Sequence, residues 1–367
     1  MIAKIGFYVH YHGLGHKHRT EAILKHLDLP ATVITSRIHE LDWEGPTLTS
    51  VEEIACDIDD IPERGLAYAS DVPSLHYAPL WTDNITRRVA QYTAWLDDHK
   101  PDVVVVDVSA EISMLTRLAS IPQIVIRQHG DRSDPAHLGA YAAAHSLLAP
   151  FPEQMEDEIT PEWVKQKTVY LDGFCRDSQC THSAEKVPNR IVVMFGRGGS
   201  QDVHRILREA AALLPDHEWI VIGKSDNDQS DDTPDNLQFL GWVADPQRYL
   251  QSAEVVVTSA GHNSVMELGN SRCRFVAITE DRPFDEQLRK TMILEREQLA
   301  IGLSRWPETS QWPTIIARAK QLDPSRWDRL FVGDGAQQAA LHIERVALWS
   351  RSQRRQTVEG TSCQLVS

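Results

Sequence analysis

Short apolar runs alternate with amphipathic stretches along the chain. Ile2–Val9 reads as a buried strand, followed by a loop rich in His and Gly and a helix near His18–Leu27. Ala31–Thr35 is a second β-branched run. Thr82–His99 has helical spacing, Asp102–Val106 (DVVVV) is a strand buried on both faces, Glu111–Leu118 a helix and Gln123–Ile126 a strand. The rhythm then restarts. Asn189–Phe195, Trp219–Ile222, Glu254–Thr258 and Phe275–Thr279 read as strands. Asp202–Leu214, Asn263–Leu268 and Phe284–Glu297 read as helices between them.

This alternation predicts an α/β fold with two doubly wound parallel sheets facing a central cleft. The polar stretch Asp177–Pro188 has no apolar period and reads as the linker, and the acidic Lys224–Asp235 as a surface loop. The expected boundaries are 1–172 for the first domain, 173–189 for the linker and 190–334 for the second domain. A helix over 335–349 returns to the first domain, and 350–367 is a polar, Arg-rich tail expected to be disordered.

A length of 367 residues suits two domains. The formal net charge of −15 argues against a nucleic-acid partner, which needs clustered Lys and Arg. His10, His12 and His16 interrupt the first apolar run before it resembles a signal peptide, and no stretch approaches the roughly 20 apolar residues of a membrane span. The five Cys, at 56, 175, 180, 273 and 363, lack metal-site spacing. A cytoplasmic location with reduced thiols is expected.

Ligands of doubly wound sheets bind at the carboxyl ends of the strands, so the loops there are the places to look for chemistry. After Asn189–Phe195 comes Gly196-Arg197-Gly198-Gly199-Ser200-Gln201, a strand-to-helix turn whose N–H groups suit phosphate; a tight turn without a ligand is the plainer alternative. After Glu254–Thr258 comes Ser259-Ala260-Gly261-His262-Asn263-Ser264-Val265-Met266-Glu267. Asn263 and Ser264 open a helix, where they either donate to phosphate or cap it. Glu267 lies one turn beyond Ser264, placed to accept from vicinal ribose hydroxyls. In the first half, Gly13-Leu14-Gly15-His16 precedes a helix, and Asp107 ends the strand PDVVVVD. The four His at 10, 12, 16 and 18 have no neighbouring carboxylate or Cys, so a metal site is not expected. The Asp-x-Asp within Asp57–Asp60 lies in an irregular acidic stretch and reads as a solvated loop. Arg19 faces an acidic acceptor, the diphosphate or solvent.

The run T-S-A-G-H-N-S-V-M-E and the segment Gly241–Gln287 around it resemble the donor domain of inverting GT-B glycosyltransferases. They are similar to glycosyltransferase family 28, the peptidoglycan lipid-intermediate N-acetylglucosaminyltransferase group, and to plant secondary-metabolite glucosyltransferases. Gly198–Gln201 (G-G-S-Q) is like the first donor-domain turn of the peptidoglycan enzymes. The resemblance implies a GT-B fold of two Rossmann-like domains. Trp242 would lie beside the base, with interdomain packing the alternative, Val243 would read the uracil edge, and Glu286 and Gln287 would bind the donor sugar. His262 departs from the small residue of the lipid-intermediate enzymes and would add a diphosphate donor or restrict the sugar.

The same resemblance implies that His16 is the general base, beside Gly15, with Asp107 orienting its ring. A helix cap is the alternative for Asp107, and Glu111 is the alternative partner for His16. Arg127-Gln128-His129-Gly130 matches the acceptor loop of the lipid-intermediate enzymes in position and polarity but not in sequence. Gln128 and His129 are the acceptor candidates there. The implied reaction is transfer of a hexose-type sugar from a nucleotide-diphosphate donor, UDP above others, to a hydroxyl acceptor, with inversion and no metal or other cofactor. The acceptor is a small molecule, a glycan or a lipid-linked molecule, the last compatible with peripheral membrane contact. A nucleotide-sugar hydrolase, a UDP-sugar 2-epimerase and a non-catalytic sugar-nucleotide-binding protein are the rivals.

Overall fold

The computed structural model describes residues 2–11, 14–37, 42–175, 185–195, 203–223 and 233–364. The first half runs β1 (Ile5–Val9), α1 (Leu14–Leu24), β2 (Ala31–Thr35), β3 (Leu48–Glu53), α2 (Glu63–Leu66), α3 (Asp83–His99), β4 (Val103–Asp107), α4 (Ala110–Leu118), β5 (Gln123–Ile126), α5 (Pro135–Ala143), β6 (Ser146–Ala149), α6 (Glu162–Lys167) and β7 (Thr168–Tyr170). Its seven strands form one sheet in the order β3-β2-β1-β4-β5-β6-β7, every pair parallel.

The alternation of side chains along a strand explains why the stretch 103–106 is apolar throughout. Val103 and Val105 join Phe7 and Ile124 in one core, while Val104 and Val106 join Tyr8, Tyr92 and Trp95 on the other face. Both faces are covered by helices, so a polar residue within 103–106 would face only apolar side chains.

The second half repeats the plan with β8 (Arg190–Phe195), α7 (Val203–Leu213), β9 (Glu218–Gly223), β10 (Leu237–Gly241), α8 (Pro246–Ser252), β11 (Val255–Ser259), α9 (His262–Asn270), β12 (Phe275–Ile278), α10 (Glu286–Arg296), β13 (Ile301–Leu303) and α11 (Trp312–Lys320). The sheet order is β10-β9-β8-β11-β12-β13, again all parallel. Val192, Ile220 and Val256 face one core; Ile191, Val193, Trp219 and Val255 face the other. Both sheets therefore reverse their winding beside the first strand of the half, at β1/β4 and at β8/β11. Such switch points open the crevices that hold ligands.

The last helix, α12 (Gly335–Gln364), returns to the first domain. Ala336, Ala339, Ala340, Ile343, Val346 and Ala347 join the core that contains Phe7, Ile23 and Leu24. The expected disordered tail is instead helical as far as Gln364. Its polar residues find polar partners: Arg351 donates to Asp102 at 3.0 Å, and Arg354 donates to the Lys100 and Pro101 carbonyls at 3.1 Å each. Charge anchors this stretch where an apolar stripe is lacking. No helix among the described residues is long and apolar enough to cross a membrane.

Candidate active site between the two domains

At the first switch point Val9 pairs in register with Asp107, so the exits of β1 and β4 are neighbours. The chain leaves β1 and enters α1 at Leu14, earlier than its polarity suggests, which puts His16 in the first helical turn. It leaves β4 through Val108, which has φ 53°. A β-branched residue in the left-handed region is strained, and such strain concentrates where function fixes the backbone. The cap of the following helix is Ser109, whose hydroxyl accepts from Ile112 N. Asp107 is thereby free for other partners.

His16 Nδ1 lies 3.0 Å from Asp107 Oδ2, and Arg19 Nη2 lies 2.8 and 2.9 Å from the two Asp107 oxygens. The same Arg19 nitrogen is 2.9 Å from His16 Nδ1. Nδ1 cannot both donate to Asp107 and accept from Arg19. Arg19 Nη2 has two protons and two carboxylate oxygens to receive them, so a protonated Nδ1 donating to Asp107 satisfies all three groups. That tautomer leaves the Nε2 lone pair of His16 free. Burial alone would raise the Asp107 pKa, but the charge of Arg19 and the hydrogen bonds from Arg19 and His16 hold it well below the usual carboxylate range. Arg19 is itself buried against Asp107 and does not face open solvent. Glu111 is occupied elsewhere, accepting from the His76 and Tyr77 amides at 2.6 and 3.0 Å.

The first turn of α9 faces this group. A Cβ on Gly15 would stand 3.7 Å from Asn263 Nδ2, so the two helix starts approach each other across the cleft. Gly261 is the N-cap of α9, and no side chain caps it. Neither Asn263 nor Ser264 caps the helix, and its leading N–H groups are available to an anion. His262 hydrogen-bonds the Pro150 carbonyl of the first domain, and its buried Nε2 has no partner. Burial and the nearby Lys290 hold it neutral. Glu267 is half-buried on the same helix.

Further along, Gln287 is buried, and its Oε1 accepts from Ala260 N at 3.1 Å and Glu280 N at 3.0 Å. It ties the ends of β11 and β12 together. Glu286 sits between two cations, Lys290 Nζ at 3.6 Å and Arg132 Nη2 at 3.7 Å. Burial opposes its ionisation, yet these charges lower its pKa. Lys290 is 1% exposed, its ammonium has no hydrogen-bond partner, and burial lowers its pKa. Sequence reasoning passed over Lys290, although its spacing of four from Glu286 is a helical-face signal.

On the first-domain side, His129 is buried, stacks on Phe151 at 3.9 Å and donates from Nε2 to the Met155 carbonyl at 2.9 Å. Burial, with Lys290 nearby, pushes its pKa down to about 3. Gln128 accepts from Arg132 at 3.3 Å. Sequence reasoning also missed His76, Asp134 and His137, the one group of three potential metal ligands among the described residues. Asp134 accepts from both imidazoles and caps α5, while Arg132 donates to His137 Nε2 at 3.0 Å. These bonds account for the cluster without a cation.

Trp242 is 77% exposed, and Val243 packs against the second-domain core beside it. Gly198, Gly199, Ser200 and Gln201 lie outside the described residues.

No protein-family model matches the chain. A 95-residue stretch is 30% identical to an uncharacterized glycosyltransferase of Methanosarcina mazei, spanning 25% of this chain and 25% of that protein's length. Acinetobacter baumannii MurG superposes with a TM-score of 0.67 at 14% identity, over 94% of this chain and 100% of that one. A UDP-glucosyltransferase from Polygonum tinctorium gives 0.68 at 12% identity, over 95% and 99%. The chain therefore has the two-domain GT-B fold of these glycosyltransferases.

Proposed function

We propose that this protein is an inverting glycosyltransferase that takes a hexose-type sugar from a nucleotide-diphosphate donor, UDP before dTDP, without a metal ion. The observation that carries the reading is the meeting of His16, held by Asp107 at one switch point, with the uncapped start of α9 at the other. The base would lie on Trp242 and Val243, the ribose on Glu267, and the diphosphate on the α9 amides with Asn263 and Ser264. Gly198–Gln201 would supply the second phosphate turn. Glu286 would face the sugar, with Gln287 bracing the turn behind it.

An acceptor hydroxyl near Gly15 and Gln128 would give its proton to His16 Nε2 as its oxygen bonds to the anomeric carbon. The bond from that carbon to the diphosphate breaks, and the nucleoside diphosphate leaves with the electron pair. Asp107 would hold the ring and balance the imidazolium. The helix N-termini would take the charge on the leaving group. The similarity to the M. mazei and UDP-dependent transferases supports the reaction class.

Product analysis by mass spectrometry, with UDP-sugars in EDTA and a panel of hydroxyl acceptors, tests this. The expected result is a glycoside of inverted configuration, lost in His16→Ala. Release of free sugar in every case would instead make water the acceptor, and full turnover by His16→Ala would remove the base from the mechanism.

A further inference from the structure

The turn that carries Glu286 is anchored on the opposite domain. Phe284 and the adjacent Asp285 both have positive φ, 60° and 53°. Two consecutive side-chain-bearing residues in this region need an external hold. The Phe284 ring supplies one. It meets His137 edge-on at 4.7 Å and His76 at 5.1 Å, and the Arg132 guanidinium lies 4.7 Å from its centroid. Its carbonyl accepts from Asp131 N at 2.7 Å.

The receiving surface is held by hydrogen bonds that do not involve Phe284. Asp134 holds both imidazoles, and Arg132 donates to the His129 carbonyl, His137 Nε2 and Gln128 Oε1. Gly130 makes room for the close approach. It has φ 116°, and a Cβ there would lie 2.6 Å from the Phe284 oxygen and 3.2 Å from Glu286 Cα. Phe284 remains 37% exposed, so burial in a core does not explain its docking.

We propose that Phe284 is a positioning residue, through which the first domain sets the place of Glu286 at the donor sugar. This rests on Glu286 facing the sugar, as proposed above. With Phe284 docked, Arg132 lies 3.7 Å from Glu286, while Gln287 is tied to its own sheet. Docking therefore governs the sugar and leaves the nucleotide site, on Trp242 and Glu267, unaltered.

Two measurements test it. Hydrogen exchange on the free protein reads the docking without any ligand. The amides of Asp131 and of residues 285–287 are expected to be protected, and to exchange at least about ten-fold faster in Phe284→Ala and in Gly130→Ala. Calorimetry with UDP and UDP-glucose reads the consequence. Both variants should lose about ten-fold in UDP-glucose affinity, with UDP affinity kept within about two-fold, and Phe284→Tyr should restore the difference. Unchanged exchange in both variants, or equal losses for UDP and UDP-glucose, would overturn the proposal. Failure of the wild-type protein to bind UDP would count against the donor reading, and the exchange arm would still decide the docking.

Discussion

Arg19 and His16 share the carboxylate of Asp107 from one turn of α1, with Arg19 Nη2 bonding both oxygens and His16 Nδ1 one of them. The arrangement makes one residue serve stability and chemistry together. Arg19→Met would leave a buried carboxylate without its cation, at a cost of about 3–5 kcal/mol in urea unfolding. The double variant Arg19→Met/Asp107→Leu should recover most of that loss. Asp107→Asn should lower turnover by roughly 10²–10⁴ with nucleotide affinity unchanged. Equal loss of stability in the single and double variants would show that the pair is not the source.

Lys290 and Glu286 should respond unequally to replacement. Lys290→Met removes an ammonium that has no hydrogen bond, while Glu286 keeps Arg132 at 3.7 Å. Its stability should stay within about 1 kcal/mol of wild type or rise. Glu286→Ala leaves the ammonium buried with its nearest carboxylate gone and should cost about 3–5 kcal/mol. Denaturant titration of the two variants gives the comparison, and the reverse order would contradict it.

His129 makes stability depend on pH above the carboxylate range. Its folded pKa is pushed down to about 3, whereas an unfolded imidazole titrates near 6.5. The unfolded chain binds the extra proton first. Stability from this group is complete above pH 6.5 and falls with decreasing pH, by about 2 kcal/mol at pH 5. His137, held down to about 4 by burial and Arg132, adds to the same slope. His129→Asn should reduce the slope between pH 5 and 6 by about 1.2 kcal/mol per unit; an unaltered slope would show that His129 is not buried neutral.

Trp242 is largely exposed, so its replacement should separate binding from folding. Trp242→Ala should weaken UDP binding by about 1–3 kcal/mol in calorimetry and leave the melting temperature unchanged. A fall in melting temperature with binding intact would assign it to packing.

Much of the fold was legible because the middle of a parallel strand buried on both faces must be apolar, as at 103–106 and 255–257. Ala31–Thr35 and Gln123–Ile126 are strands over the whole of the runs read from sequence. The edge strand Leu48–Glu53 escaped because Thr49, Ser50, Glu52 and Glu53 are polar and none of its residues is fully buried. The helical tail escaped because Arg351 and Arg354 are held by Asp102 and carbonyls, which leave no apolar period.

In the site, Asp107 was legible as the end of a buried strand and His16 as part of a Gly-x-Gly-His loop before a helix, while the adjacency of the two strands appears only in the fold. What the sequence could not display were contacts between elements far apart in the chain. Phe284 meets His76, His137 and Arg132 only when the domains meet, and Arg19 turns inward only because Asp107 waits beneath it.

The most direct test is calorimetric titration of the protein with UDP, dTDP, GDP and ADP in EDTA. Binding of UDP, or less favourably dTDP, in preference to the purine nucleotides is predicted, with Glu267→Ala weakening it. Absence of binding by all four would contradict a donor site at the start of α9.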